Sequence, residues 1–140
     1  MFIGESQHTL DEKGRIRIPV KHKEKLGAKP YITYGEEGCL LIYTHARAKK
    51  FIDQMEKEFD DESEFYDKEK TNKYGDLMAG DFCEEDGQGR ILLPQLMIAH
   101  AGLSKNLITT TGGNHLQLWD EERLMKKRET ERLKEDKTKL

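Results

Sequence analysis

The chain contains the same nine-residue unit twice. The first copy is Asp11-Glu-Lys-Gly-Arg-Ile-Arg-Ile-Pro19, and the second is Asp86-Gly-Gln-Gly-Arg-Ile-Leu-Leu-Pro94. Their Asp, Gly, Arg and Pro positions are each 75 residues apart (86 − 11, 89 − 14, 90 − 15 and 94 − 19). A repeat constrains the fold more than any local pattern, because it implies two related structural units. Two copies favour a pseudo-twofold domain over an extended solenoid.

Each copy predicts a turn, a strand and a short helix, in that order. In the first copy the Asp-x-x-Gly run is typical of a tight turn, in which Gly14 supplies a backbone conformation that other residues resist. Charged and apolar residues then alternate from Arg15 to Ile18, which is the period of a half-buried strand. Pro19 favours the start of a helix, and Gly27 favours its end.

The rest of the chain predicts further short strands and three longer helices. Strands are predicted at 2–3, 30–34, 39–43, 107–111 and 115–119, hairpin turns at 35–38 and 112–114, and helices at 46–59, 69–79 and 121–137, the last capped by Asp120. Short strands therefore dominate, and the predicted fold is mainly β with short helices, of the α+β class.

Composition divides the chain into four predicted parts. They are a first repeat at 1–50, a helical, acidic connector at 51–80, a second repeat at 81–125 and a charged helical tail at 126–140. Although the whole chain has a net charge of −3, residues 1–50 hold 10 basic and 6 acidic residues, a net of +4. Residues 51–86 hold 4 basic and 14 acidic residues, a net of −10, with a dense acidic run at 60–67. This uneven distribution of charge along the chain influences the choice of binding partner more than the net charge does.

Several classes of function find no support in the composition. No run is long enough for a transmembrane helix, and no signal peptide opens the chain, so we predict a cytoplasmic protein. Cys39 and Cys83 are too few for a disulfide framework or a paired-thiolate zinc site. The five His residues show no metal-ligand spacing, and no acid, base or nucleophile cluster is visible. We therefore expect no metal, no cofactor, no small-molecule substrate and no enzymatic activity.

The repeated run Asp-x-x-Gly-Arg-strand-Pro-helix-Gly resembles the defining motif of the SpoVT/AbrB DNA-binding family. Two such units in a chain of this length resemble the MraZ family of transcriptional regulators. Further matches over residues 1–125 are Gly4, Gly38-Cys39-Leu40 with Tyr43, and Leu116-Gln-Leu-Trp-Asp120.

The resemblance implies both a fold and a function. The fold would be a swapped-hairpin AbrB-like barrel, formed here by the two halves of one chain. The function would be regulation of transcription by a ring-like homo-oligomer. Such a ring would bind repeated boxes in double-stranded DNA upstream of the division and cell wall gene cluster, including its own gene, and would be nucleoid-associated.

The candidate DNA-binding residues lie in the first repeat. They are Lys13, Arg15, Arg17, Lys21 and Lys23. Lys13 and Arg15 should point into solvent at the turn, where a guanidinium can contact phosphate or pair with guanine. The other three would extend the basic face around that loop. The alternatives are an Asp11–Arg15 ion pair that only braces the turn, and an ordinary solvated surface.

The second repeat predicts a different role. Arg90 has the same local sequence as Arg15, but Glu84 and Glu85 next to it should repel phosphate. We therefore expect a structural or interface role for Arg90. Turn-forming or structural roles are assigned to Asp11, Gly14, Pro19, Asp86, Gly89, Arg90 and Pro94.

Leu92 takes the outward position that Arg17 has in the first repeat. An exposed apolar side chain there is typical of an interface between subunits. The acidic connector leaves a second function open, that of a ring-forming scaffold that binds protein partners.

Overall fold

The computed structural model describes residues 1–59 and 67–138, which form eight strands and five α-helices. The strands are β1 Ser6–Thr9, β2 Arg15–Arg17, β3 Tyr31–Tyr34, β4 Leu40–Tyr43, β5 Asp81–Phe82, β6 Arg90–Leu92, β7 Asn106–Thr111 and β8 Leu116–Asp120. The helices are α1 Val20–Leu26, α2 His45–Phe59, α3 Lys68–Met78, α4 Gln95–Ala101 and α5 Glu121–Thr138. The α+β class and both hairpins are as predicted. The acidic run lies, except for Asp67, outside the described residues.

Six strands form one antiparallel sheet whose order follows the sequence repeat. The order is β1-β7-β8-β4-β3-β5. Strands β1, β3 and β4 of the first repeat correspond to β5, β7 and β8 of the second. When each strand is replaced by its counterpart, the strand order is the same, counted from the opposite edge of the sheet. Strand β1 pairs with β7 of the second repeat, and β5 pairs with β3 of the first. Each repeat therefore places its first strand beside a strand of the other.

The two motif strands, β2 and β6, form a separate antiparallel ribbon. Arg15 is opposite Leu92, Ile16 is opposite Ile91, and Arg17 is opposite Arg90. Ile16 and Ile91 are fully buried. Since side chains alternate along a strand, the residues on either side of this central pair face outward. The ribbon thus has one apolar inner face and one outer face made by both repeats.

One hydrophobic core joins the repeats. Its buried members are Phe2, Ile16, Ile18, Leu26, Ile32, Leu40, Ile42, Cys83, Ile91, Leu93, Met97, Ala101, Leu103, Leu107, Leu116 and Leu118. Burying one Leu or Ile side chain contributes about 1.5–3 kcal/mol relative to its exposed state. Because members from the two halves pack together, neither half has a complete core of its own.

Helix α5 begins with the predicted cap and docks against both halves. Asp120 accepts a hydrogen bond from the Arg123 backbone N–H at 3.3 Å. The Arg123 side chain donates to the carbonyl oxygens of Gly38 and His100, each at 3.0 Å. Leu124 is buried with Trp119 in a small second cluster. None of the helices in the described ranges combines the length and apolar character needed to cross a lipid bilayer.

The predicted strand at 2–3 is wrong, and the first strand lies at Ser6–Thr9. Phe2 is instead a core side chain, 3% exposed, whose N–H donates to the Gly113 carbonyl at 2.7 Å. Ile3 is 76% exposed. Of this apolar pair, only Phe2 is therefore packed in the core, and the segment is not a strand. The polar run Ser-Gln-His-Thr becomes a strand because β7 supplies its hydrogen-bonding partner.

Candidate nucleic-acid interface

Asp11 organises the first turn through its carboxylate. Its Oδ1 accepts the backbone N–H groups of Lys13 and Arg15, both at 2.9 Å. Its Oδ2 accepts Arg15 Nε at 2.7 Å, and Gly14 has a φ of +80°. The backbone bond from Arg15 and the other bonds to the carboxylate lower the pKa of Asp11 from its ordinary value. The carboxylate is therefore ionised near neutral pH, and the turn is preorganised.

The second turn has the same geometry around Asp86. Oδ1 accepts the backbone N–H groups of Gln88 at 2.8 Å and Arg90 at 3.0 Å, and Oδ2 accepts Arg90 Nε at 3.0 Å. Gly89 has a φ of +74°. The backbone hydrogen bond from Arg90 is again the largest cause that lowers the pKa of the aspartate. The two turns are thus structurally equivalent.

Arg15 does not extend freely into solvent as expected. Its side chain is 24% exposed and forms an ion pair with Asp11 that braces the turn, which is the alternative given above. The ion pair engages Nε and fixes the plane of the guanidinium. Among the described residues, no acceptor is seen for the two terminal nitrogens of Arg15. These nitrogens are therefore available to an acceptor outside the protein. Bracing the turn and contacting a ligand are therefore compatible roles for this side chain.

The outer face of the β2–β6 ribbon carries three arginines and one leucine. They are Arg15 and Arg17 from the first repeat and Arg90 and Leu92 from the second. The three guanidinium-bearing residues line a cleft of about 200 Å³, together with His8, Thr9, Asp11 and Ile16. Burial lowers the pKa of His8, whose Nε2 lies 2.6 Å from Thr109 Oγ1. His8 is thus neutral near pH 7, and the arginines supply the positive charge of the cleft.

The expectation that Arg17, Lys21 and Lys23 surround the first turn is wrong. Arg17 donates to the Gln88 carbonyl in the second turn, and Lys23 Nζ pairs with Glu85 Oε2 at 3.3 Å. A Cβ built on Gly89 would lie 3.3 Å from Lys23 Nζ and 3.7 Å from Arg17 Nη1. Lys21 Nζ donates to the Glu5 carbonyl at 2.6 Å, near the N-terminus. Of the five candidates, only Lys13 and Arg15 belong to the first turn.

The first turn instead faces apolar groups. A Cβ built on Gly14 would lie 3.1 Å from Ile98 Cδ1 and 3.9 Å from Leu92 Cδ1. Ile98 and Leu92 are the repeat equivalents of Lys23 and Arg17, since each pair is 75 positions apart (98 − 23 and 92 − 17). The two ends of the ribbon therefore share one backbone geometry and differ in chemistry. Basic side chains pack against the second turn, and apolar side chains pack against the first.

The two acidic neighbours of Arg90, which were expected to repel phosphate, are each paired with a lysine. Glu85 is paired with Lys23, and Glu84 Oε1 lies 3.2 Å from Lys29 Nζ. Both lysines come from the first repeat, so local sequence could not reveal the compensation. The structure thus brings Arg90, to which a structural or interface role was assigned, into the cleft with Arg15 and Arg17. The 75-residue repeat was the one signal that could have suggested this pairing.

The cysteines and histidines form no second site among the described residues. No group of three or more His, Cys, Asp and Glu side chains there is placed to hold a metal ion. Cys39 and Cys83 are both buried free thiols. Burial raises the pKa of each thiol to about 11, so both are protonated at neutral pH.

Comparison with known proteins matches both halves of the chain to one family. The family described as "MraZ protein, putative antitoxin-like" matches residues 1–69 and 77–138.

Curated relatives carry the name Transcriptional regulator MraZ. The one from Lachnoclostridium phytofermentans is 36% identical over 123 residues, which is 88% of this chain and 84% of that protein. Those from Heliobacterium modesticaldum and Ligilactobacillus salivarius are each 33% identical, over 90% and 88% of this chain and 85% and 83% of their own. All three are named as regulators and none as an enzyme, as expected for this chain. The chain belongs to the MraZ family.

Proposed function

We propose that this protein is a sequence-specific, DNA-binding regulator of transcription. The observation that carries the proposal is the composite outer face of the β2–β6 ribbon, where Arg15, Arg17 and Arg90 converge from both repeats. Each motif arginine is oriented by an aspartate whose own position is fixed by backbone N–H groups. The name of the curated relatives agrees with this function.

The ribbon would act in the major groove of double-stranded DNA. That groove admits a two-stranded β-ribbon, and an arginine can pair there with guanine O6 and N7. Lys13, exposed at the tip of the first turn, would contact a backbone phosphate. Arg17 and Lys23 would do the same at the second turn, and Lys21 at the N-terminal edge. We thus propose six DNA-binding residues, which are Lys13, Arg15, Arg17, Lys21, Lys23 and Arg90.

Assembly would raise the affinity of these small sites. We propose a ring-like homo-oligomer that presents several ribbons to repeated DNA boxes, because linked contacts raise the effective concentration of each further contact. The exchange of first strands between repeats supports a swapped-hairpin relation of the AbrB type. It also fits the proposed repeats at 1–50 and 81–125, joined by the connector at 51–80 and followed by the tail at 126–140. Binding to boxes upstream of its own gene and the division and cell wall cluster would make the protein cytoplasmic and nucleoid-associated.

The test is binding of the purified protein to its own upstream DNA, measured by mobility shift against scrambled DNA of equal length. We expect selective binding that Arg15→Ala weakens by about 1–3 kcal/mol per site, a loss that adds up over the protomers engaged, while the elution volume in size exclusion is unchanged. Arg47→Ala, which removes the same charge from an exposed position of α2, is the matched control and should bind normally. Equal binding of both DNAs would overturn sequence-specific recognition. Absence of DNA binding, with a stable oligomer, would favour the scaffold alternative.

A further inference from the structure

Leu92 is the one apolar side chain on the outer face of the ribbon. It is 62% exposed and lies directly opposite Arg15 in the β2–β6 ladder. At the equivalent position of the first repeat the chain has Arg17. The face that would enter the groove therefore combines three guanidinium groups with one exposed hydrocarbon group.

The position of Leu92 is defined by the turn beside it. Its Cδ1 would lie 3.9 Å from a Cβ built on Gly14, so the side chain rests against the first turn. Leu92 and Arg90 are two residues apart on one strand and face the same side. Their separation along the strand is about 6.6 Å, which is close to two base steps of about 3.4 Å along one DNA strand.

We propose that Leu92 recognises a thymine through its C5 methyl group, an inference that rests on the DNA-binding function proposed above. In the major groove the C5 substituent of thymine is the only methyl group on the edges of the four bases, and apolar side chains contact it. The recognised thymine would lie about two base steps from a base pair that Arg90 contacts. The ribbon would then read guanine through its arginines and thymine through Leu92.

The surroundings of Leu92 favour DNA over a second copy of the chain as its partner. A symmetric contact through this face would bring the three arginines of one copy against those of the other, and like charges repel. DNA offers the opposite arrangement, because guanine acceptors and nearby phosphates receive the arginines while a thymine methyl group covers the leucine. Charge complementarity thus selects the partner.

The experiment replaces each thymine of the bound upstream DNA, one at a time, by deoxyuridine, which lacks only the C5 methyl. Fluorescence anisotropy then gives the dissociation constant of the full-length protein for each duplex. We expect one thymine per box at which the replacement weakens binding about fourfold, the effect of one lost methyl burial. Leu92→Ala should bind the unmodified box about fourfold more weakly and lose all sensitivity to deoxyuridine at that position.

Leu96→Ala is the matched control, because Leu96 is 76% exposed and lies on α4 outside the ribbon. This variant should keep the deoxyuridine effect. If wild-type protein binds every deoxyuridine duplex as tightly as the unmodified one, the thymine contact is refuted and the DNA-binding function stands. If Leu92→Ala instead changes the elution volume in size exclusion and keeps the deoxyuridine effect, Leu92 belongs to a contact between copies. Failure to bind any upstream DNA would refute the proposed function itself.

Discussion

Arg17 lies directly opposite Arg90 in the antiparallel β2–β6 ribbon, so an arginine of each repeat occupies the same rung of the ladder. Two like charges at such a position destabilise a strand pair. Arg17 also donates to the Gln88 carbonyl, which holds it over the second turn. The ion pair between Asp86 and Arg90, at 3.0 Å, offsets part of this repulsion, and we propose that a DNA phosphate near Arg17 offsets the rest.

DNA binding should depend steeply on ionic strength. Counterion release gives a log–log slope of binding constant against salt of about −0.9 per phosphate neutralised. An oligomer that engages repeated boxes through Lys13, Arg15, Arg17 and their neighbours should therefore show a slope of roughly −4 or steeper. Anisotropy titrations between about 50 and 200 mM salt measure it. A flat dependence would contradict phosphate-dominated binding.

Releasing Lys23 from its ion pair should strengthen DNA binding. In Glu85→Gln, the lysine beside the second turn loses its carboxylate partner, and a negative charge near the DNA is removed. We expect affinity to rise by about 0.2–1 kcal/mol, the range of exposed ion pairs. Glu56→Gln, on the exposed side of α2, makes the same charge change and should have no such effect. Fluorescence anisotropy titrations with DNA that contains a single box measure the two affinities. Weaker binding by Glu85→Gln would count against a DNA contact at the second turn.

Gly14 should be far less tolerant of substitution than Gly87. Gly14 has a φ of +80°, and a Cβ there would lie 3.1 Å from Ile98 Cδ1, whereas nothing lies within 4 Å of a Cβ built on Gly87. Holding an L-residue in the left-handed region costs about 1–2 kcal/mol. Urea unfolding should therefore show Gly14→Ala destabilised by at least that amount, with Gly87→Ala close to wild type. Equal stability of the two variants would mean that the turn does not need glycine.

Asp120 should couple folding to pH. Burial by itself would raise the pKa of this carboxyl, but hydrogen bonds from Ser104 and the Arg123 backbone outweigh it and leave the pKa lowered. A lowered pKa in the folded state gives stability that is complete above the ordinary value of 3.8 and is lost as pH falls through the folded value.

Asp120→Ala should accordingly cost about 1–3 kcal/mol at pH 7, measured by urea unfolding. Its difference from wild type should shrink as the pH falls below 3.8. Asp53→Ala, at an exposed position of α2, is the control and should follow wild type. A difference that is constant with pH would show that the charge of Asp120 is not responsible.

Local patterns predicted the parts of the fold that local physics decides. The turn at Gly14, the strand that begins at Arg15 and the helix that ends at Leu26 depend on neighbours in sequence, and the structure has all three. Strand β1 could not be found in this way. Its residues Ser6–Thr9 carry no apolar alternation, and their partner β7 lies about a hundred residues further along the chain.

The sequence indicated candidate residues for the site but could not reveal their arrangement. Arg17 and Lys23 are close to Arg15 in sequence, but antiparallel pairing with β6 carries them to the second turn. The same pairing brings Arg90 into the cleft and lets Lys23 compensate Glu85. These relations join positions more than 60 residues apart, so only the pairing of the repeats reveals them.

Both repeats should contribute to one DNA-reading face, and Arg90→Ala tests this most directly. Arg90→Ala and Arg15→Ala should each weaken specific binding by about 1–3 kcal/mol per site, with the oligomer unchanged in size exclusion. Arg47→Ala again serves as the charge-matched control. The decisive measurement is the anisotropy titration of Arg90→Ala on the upstream DNA. Weakened binding by an intact oligomer is the predicted result, and wild-type affinity, or a loss that only follows disassembly, would contradict the account.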